Sequence, residues 1–292
     1  MRPALGEHGA QLVDGQRRRA QLADDDAGRV VGNLRRLDAV CAGGQGEGEG
    51  RDGRVARAGN VEDLLRARGR VVGLLSFLDQ QQIVRVDEES KKPIDPESRL
   101  WLFERLGAEI AAHDAVIIED YAKGLIDQEL VSHVIIEAKK HNKIVAIDPN
   151  PNNPFDWTGG TVLKPNRKEA FQSVDMPYST SDEAVLEAGT RLQKKHGVKQ
   201  VLITLGEAGM LLLEQGQKPY HTPTRAQDVF DVSGAGDTAI AAFTLALAAG
   251  ASGVEAAEIA NHAAGVVVGK LGTATLNVEE LRGMFAKTEG AV

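Results

Sequence analysis

Residues 231–238 read DVSGAGDT, a string whose residue types and order suit the binding of an anion. Gly234 and Gly236 let the backbone turn tightly into the apolar run AIAAFTLALAA. Consecutive N–H groups are thereby presented at a helix N-terminus, where unpaired donors and the helix dipole favour negative charge. With a transferring phosphoryl group held there, Asp237 in the first turn faces the attacking hydroxyl and is placed to take its proton. The same string also suits a plain helix capped by an aspartate after a glycine turn.

Two companions strengthen the chemical reading. KPNRKE, residues 164–169, follows a strand end. Its Asn166 and Glu169, three apart at a helix start, share one face and suit a hydrated Mg²⁺ held through oxygen ligands. Glu169 equally has the spacing of a capping-box residue. TLGEAG, residues 204–209, sets the Thr204 hydroxyl with Gly206 and Gly209 at another strand end, suited to a nucleotide's ribose or phosphates, or to a simple hairpin turn. Three polar motifs at the carboxyl ends of strands in one α/β sheet make a crevice site.

The elements that must position these motifs are legible from about residue 80. Short β-branched runs alternate with longer helical periods, the signature of a parallel sheet with helices on its faces. Strands are expected at 83–86, 115–119, 144–147, 161–163 and 201–204, the last turning at Gly206–Gly209 into a hairpin partner at 210–213. Helices are expected from Pro96 to Ile110, from a cap at Asp127 to about Asn142, and from Ser181 to a stop at Gly197. Others run from Asp237 to Ala249, from about Val254 to Val268, and on from a cap at Asn277. Asp148-Pro149 is either a lining of the phosphate side or a strand-terminating turn.

Residues 1–75 differ. They contain 13 Arg, 14 Gly, no Lys and none of the chain's twelve aromatic residues, and GGQGEGEGRDGR is low-complexity. A segment of this composition has little with which to build a core, and a disordered or loosely attached extension is expected. The domain division is therefore an atypical Arg/Gly-rich stretch over 1–75 and an enzyme domain over 76–292.

Composition excludes several classes. A formal charge of −8 argues against a non-specific nucleic-acid binder. The single cysteine, Cys41, forms no internal disulfide, and no CxxC or His cluster has metal-ligand spacing. The first residues lack an apolar signal core, and no apolar stretch is long enough to span a bilayer. A small-molecule enzyme of the reducing cytoplasm, with no membrane and no nucleic-acid partner, is expected.

VFDVSGAGDTAIAAF, KPNRKE and TLGEAGM together resemble the motifs of the ribokinase-like (PfkB) carbohydrate kinases. QQQIVRVDEE, EDYAKG (119–124) and NHAAGVVVGKLGTATL (261–276) are similar to the bacterial kinases of D-glycero-D-manno-heptose 7-phosphate, the kinase half of bifunctional heptose enzymes of lipopolysaccharide core synthesis. The resemblance runs from about Phe77 to Phe285. It implies a three-layer α/β/α fold with a mostly parallel sheet, dependence on ATP and Mg²⁺, and a sugar phosphate as acceptor. By the same resemblance Asp237 matches the catalytic base, and Gly234, Ala235 and Gly236 match the anion hole. Asn166 and Glu169 match the Mg²⁺-phosphate motif; Lys164, Thr204, Gly206, Gly209 and Asn261 fall where ATP is held. Asp120 and Lys123 fall where the sugar phosphate and γ-phosphate are handled.

The amino end departs from the family. A sugar-binding Asp on a first strand, a Gly-Gly-x-x-Asn motif and a small β lid are expected there, yet only Ala58-Gly59-Asn60-Val61 approaches that spacing. The reading therefore expects residues 1–75 to be translated from another frame or joined from elsewhere, and the chain to be a poor kinase. Three outcomes stay open: the heptose 7-phosphate kinase, a kinase of another sugar or nucleoside, and a nucleotide binder without turnover. Because family lids pair between subunits, a homodimer stays open too. With no nucleotidyltransferase sequence after Val292, a stand-alone kinase or a fragment of a bifunctional one is expected.

Overall fold

The strands of the central sheet sort their side chains by parity into two cores. Val145 and Ile147, Leu163, Val201 and Ile203, and Leu211 and Leu213 enter one cluster, whereas Ala146, Val162, Leu202, Met210 and Leu212 enter the other. This is the period of a pleated strand buried on both faces, and it explains why the runs read as continuously apolar. The computed structural model describes residues 77–78, 81–82, 91–226 and 229–289. The segment over 1–75 and the strand expected at 83–86 lie outside the described residues.

After an antiparallel pair, β1 (Phe77–Leu78) and β2 (Gln81–Gln82), come α1 (Pro96–Ala112), β3 (Ala115–Glu119), α2 (Gln128–Lys140), β4 (Ile144–Asp148) and β5 (Val162–Leu163). Then follow α3 (Arg167–Ser173), α4 (Asp182–His196), β6 (Gln200–Thr204), β7 (Met210–Glu214), β8 (Tyr220–Thr222), α5 (Ala235–Ala248), α6 (Gly253–Val268) and α7 (Val278–Glu289). The six-stranded sheet runs β3-β4-β5-β6-β7-β8, parallel through β6 and antiparallel across the last two pairings. Helices α1–α4 cover one face and α5–α7 the other, a three-layer α/β/α sandwich. Among the described residues no helix is long and apolar enough to cross a membrane.

Local chemistry sets the boundaries. Asp95 caps α1 by accepting from the Ser98 N–H at 2.9 Å, with Pro96 in the first turn where its missing N–H costs nothing. Asp127 caps α2, and its second oxygen takes the Arg99 guanidinium at 2.6 Å, which ties α2 to α1. Gly197, at φ 60°, ends α4 as expected. The α5–α6 seam is built from alanines, with Ala239, Ala256, Ala257, Ala260 and Ala263 all fully buried, so two helices approach closely over the sheet.

Three boundaries differ from the sequence reading. Helix α5 begins at Ala235, two residues before Asp237, because left-handed Gly234 serves as its cap. Helix α3 is a full two turns beyond its recognised start, and β8 follows a lysine-proline pair in a stretch too short to show alternation.

Gly209 has φ 87° and ψ −129°, a conformation close to glycine-only, and a Cβ there would overlap the carbonyl oxygen of Thr222. Gly206, at φ 65°, faces open space. Gly206→Ala is therefore expected to cost about 1–2 kcal/mol of stability, the left-handed penalty alone. Gly209→Ala should cost more than about 3 kcal/mol, since the β7–β8 pairing must also shift. Thermal or urea unfolding of the two variants checks this; equal losses would show that the overlap with Thr222 is not felt.

Candidate active site

The carboxyl ends of the parallel strands form one polar edge. Glu119 ends β3 directly opposite Asp148 at the end of β4, and the Lys164 N–H, just past β5, bonds to the Ile147 carbonyl at 2.8 Å. Asn166 bridges to Thr204 at the end of β6. Glu119, Asp148, Lys164 and Thr204 come side by side because each is the first polar residue at the end of an apolar run, with Asn166 two residues beyond Lys164.

The start of α5 lies over this edge, with the helix packed across β3 and β4. The Ala235 N–H bonds to the Val232 carbonyl at 3.3 Å, and that of Thr238 to the Gly234 carbonyl at 2.9 Å. The N–H groups of Gly236 and Asp237, between them, have no acceptor among the described residues. Two aligned donors at the positive end of a 14-residue helix fit an oxyanion. Gly234, Ala235, Gly236 and Asp237 are thus brought together as expected.

Beneath them, the Lys164 ammonium lies 2.8 Å from Asp148 Oδ2, its side chain only 4% exposed. A Cβ on Gly236 would stand 3.2 Å from that ammonium. Burial pushes the Asp148 carboxyl up to about 6 against the attraction of Lys164. Burial, and after it the charge of Asp237, also raises the Glu119 carboxyl. Tyr121 donates to Glu119 Oε2 at 3.0 Å; burial first, then the charges of Glu119 and Asp237, hold its hydroxyl protonated throughout the working pH range. Glu119, Tyr121 and Asp148 were not singled out as site residues from sequence. EDYAKG contained the first two, and Asp148-Pro149 was equally a turn.

The remaining expected residues fall into two groups. Lys123 stays at this edge, its Nζ 5.8 Å from the Tyr121 ring centre. Asp120 is buried, both its oxygens receiving Asn153 Nδ2 at 3.0 and 2.9 Å and one of them the Ala122 N–H, so it fixes the turn that carries Tyr121 and Lys123. Asn261 is also buried; its amide donates to Thr222 Oγ1 at 2.9 Å and to the Pro223 carbonyl at 2.7 Å, anchoring the exit of β8 on α6. Gly209 has the backbone role already described, and at the β6 end Gly206 is exposed and Thr204 half-buried.

Asn166 and Glu169 form a reciprocal capping box: Asn166 Oδ1 accepts from the Glu169 N–H at 2.9 Å, and Glu169 Oε2 from the Asn166 N–H at 2.8 Å. The pair offers oxygen donors only, the chemistry of a hard cation. Among the described residues no group of three or more His, Cys, Asp or Glu is arranged to hold a metal. Glutamine also completes a capping box, so Glu169→Gln separates the two roles. Its melting temperature should match the parent while the Mg²⁺ concentration for half-maximal turnover rises; a magnesium titration overlaying that of the parent would leave the motif a cap only.

The pfkB family carbohydrate kinase model matches residues 93–280. The bifunctional protein HldE of Mesorhizobium japonicum is 38% identical over 272 residues, covering 90% of this chain and 54% of that protein. HldE of Caulobacter vibrioides is 42% identical over 210 residues, covering 72% and 43%. HldE of Syntrophotalea carbinolica is 35% identical over 287 residues, covering 94% and 57%, a match that reaches ahead of residue 76. The chain thus spans about half the length of the curated relatives it matches. In fold it is similar to Arabidopsis thaliana ribokinase complexed with ribose and ATP (TM-score 0.55, 24% identity, 69% of this chain and 64% of that one). It is likewise similar to Escherichia coli phosphofructokinase-2 in complex with substrates and products (0.59, 18%, 72% and 66%). The likeness of layers and sheet, and a family model matching most of the chain, lead to one conclusion: this chain belongs to the pfkB family of carbohydrate kinases, phosphotransferases on a ribokinase-like α/β fold.

Proposed function

We propose that the chain transfers the γ-phosphoryl group of ATP to the anomeric hydroxyl of D-glycero-D-manno-heptose 7-phosphate, giving the 1,7-bisphosphate in the cytoplasm. The observation that carries this reading is the start of α5, where the N–H groups of Gly236 and Asp237 have no acceptor among the described residues, the buried Lys164 ammonium lies against Gly236, and the Asp237 charge reaches Glu119 and Tyr121 at the strand ends. The HldE names of the relatives support the choice of sugar.

In this reading the first turn of α5 holds the transferring phosphoryl group, and its N–H groups meet the charge that develops on the equatorial oxygens. Asp237 accepts the hydroxyl proton as the sugar oxygen forms its bond to phosphorus and the bond to the ADP oxygen breaks. Asn166 and Glu169 would hold Mg²⁺, which neutralises phosphate charge when bound. Lys123, on the turn fixed by Asp120, is placed for the acceptor's own phosphate. Lys164, Thr204 and Gly206 line the nucleotide side, while Asn261 and Gly209 act on it through the β8 exit and the hairpin.

Asp237→Asn removes the proton acceptor and keeps the helix start. Turnover is expected to fall by about 10²–10⁴ with ATP affinity unchanged in calorimetry. More than a tenth of parent turnover would remove Asp237 from the role of base. Turnover measured on the heptose 7-phosphate, fructose 6-phosphate, ribose and nucleosides tests the substrate; a preference for any of the last three would overturn the heptose assignment.

A further inference from the structure

The Lys164 ammonium is in an unfavourable place for a cation. It is nearly sealed from water and sits against the first turn of α5, the positive end of the helix. The dipole and the unpaired N–H groups of Gly236 and Asp237 add to its charge rather than offset it. Asp148 Oδ2, at 2.8 Å, supplies the charge-assisted bond that holds it there. Asp148 is itself fixed as the last residue of β4, paired with Glu119 of β3.

Gly236 gives the second, independent observation. Its φ is not in the left-handed region, so no backbone conformation requires glycine. Space favours it: a Cβ there would stand 3.2 Å from the ammonium, tighter than ordinary van der Waals contact, so the lysine tip would have to give by a few tenths of an ångström. The helix start and the lysine are therefore shaped to each other.

We propose that Asp148 is a positioning residue for phosphoryl transfer, holding the Lys164 ammonium under the first turn of α5 so that one buried cation and two backbone donors act on the same phosphate, with Gly236 leaving the room this needs. The inference rests on the reading of the α5 start as the phosphoryl site. Asp148 has no contact with substrate in this account and acts only through Lys164.

The test uses the full chain with Asp148→Asn, Lys164→Met, the double variant and Gly236→Ala. Asp148→Asn and Lys164→Met should each lower kcat about tenfold or more, with KM for the sugar phosphate unchanged. The double variant, with no unpaired buried charge, should regain the parent melting temperature yet keep the kcat of either single variant, because the two residues act as a unit. Gly236→Ala displaces the ammonium without altering any charge and should lose turnover in the same direction. A double variant that regains turnover together with stability would make the pair structural only and overturn the proposal, as would a folded Asp148→Asn with parent kcat. Calorimetric titration with ATP and with AMP keeps the two readings apart. If the parent phosphorylates no sugar, the functional reading fails, while weakened ATP but unchanged AMP binding by Asp148→Asn would still support the pair. Unchanged ATP binding would overturn it.

Discussion

One buried ammonium organises the polar edge of this sheet. Lys164 lies at the end of a two-residue strand, in contact with the start of α5 above and with Asp148 beside it. Moving it leaves an unpaired carboxylate among Glu119 and Asp148 and removes the positive field that complements a phosphate. Such a cluster costs stability, since charges taken from water are repaid only by good geometry. Its concentration at the carboxyl ends of the strands, where ligands bind in open α/β sheets, is what supports the proposed phosphoryl site.

The two cores explain how this edge can carry buried charge without loss of the fold. Below it, alternate residues of β4–β7 feed a cluster under α1–α4 and another under α5–α7, with alanine contacts letting α5 and α6 lie close together. The start of α5 is thereby fixed by packing along its whole length. The site residues do not have to hold the helix in place.

Much of this was legible from sequence where the signal was local. Caps at Asp127 and Asn277, the stop at Gly197, and the hairpin at 204–213 depend on neighbours a few residues apart, and they stand as read, while Ser181, read as the first residue of its helix, is the cap just before it. DVSGAGDT was legible because a glycine turn before an apolar helix is itself a local motif. What could not be read was partnership across the sheet. Asp148 looked like the Asp of a turn because its lysine is sixteen positions on, a neighbour only once β4 and β5 pair. Gly236 looked like a flexible turn residue, whereas what its missing side chain does is leave room beside that same lysine. Asn261 and Asp120, expected at ligands, are already engaged within the fold, the Asn261 amide nitrogen donating to Thr222 and Pro223 and the Asp120 carboxylate accepting from Asn153 and Ala122. A sequence shows that a polar residue is present, not whether its hydrogen bonds are already spent.

The central claim is that phosphate is bound where α5 begins. A crystal structure of the chain with a non-hydrolysable ATP analogue and Mg²⁺ tests it most directly. The account predicts the terminal phosphate within hydrogen-bond distance of the Gly236 and Asp237 N–H groups, with Lys164 still paired to Asp148 beneath them. Phosphates bound away from the carboxyl edge, at the start of α6 for example, would contradict it.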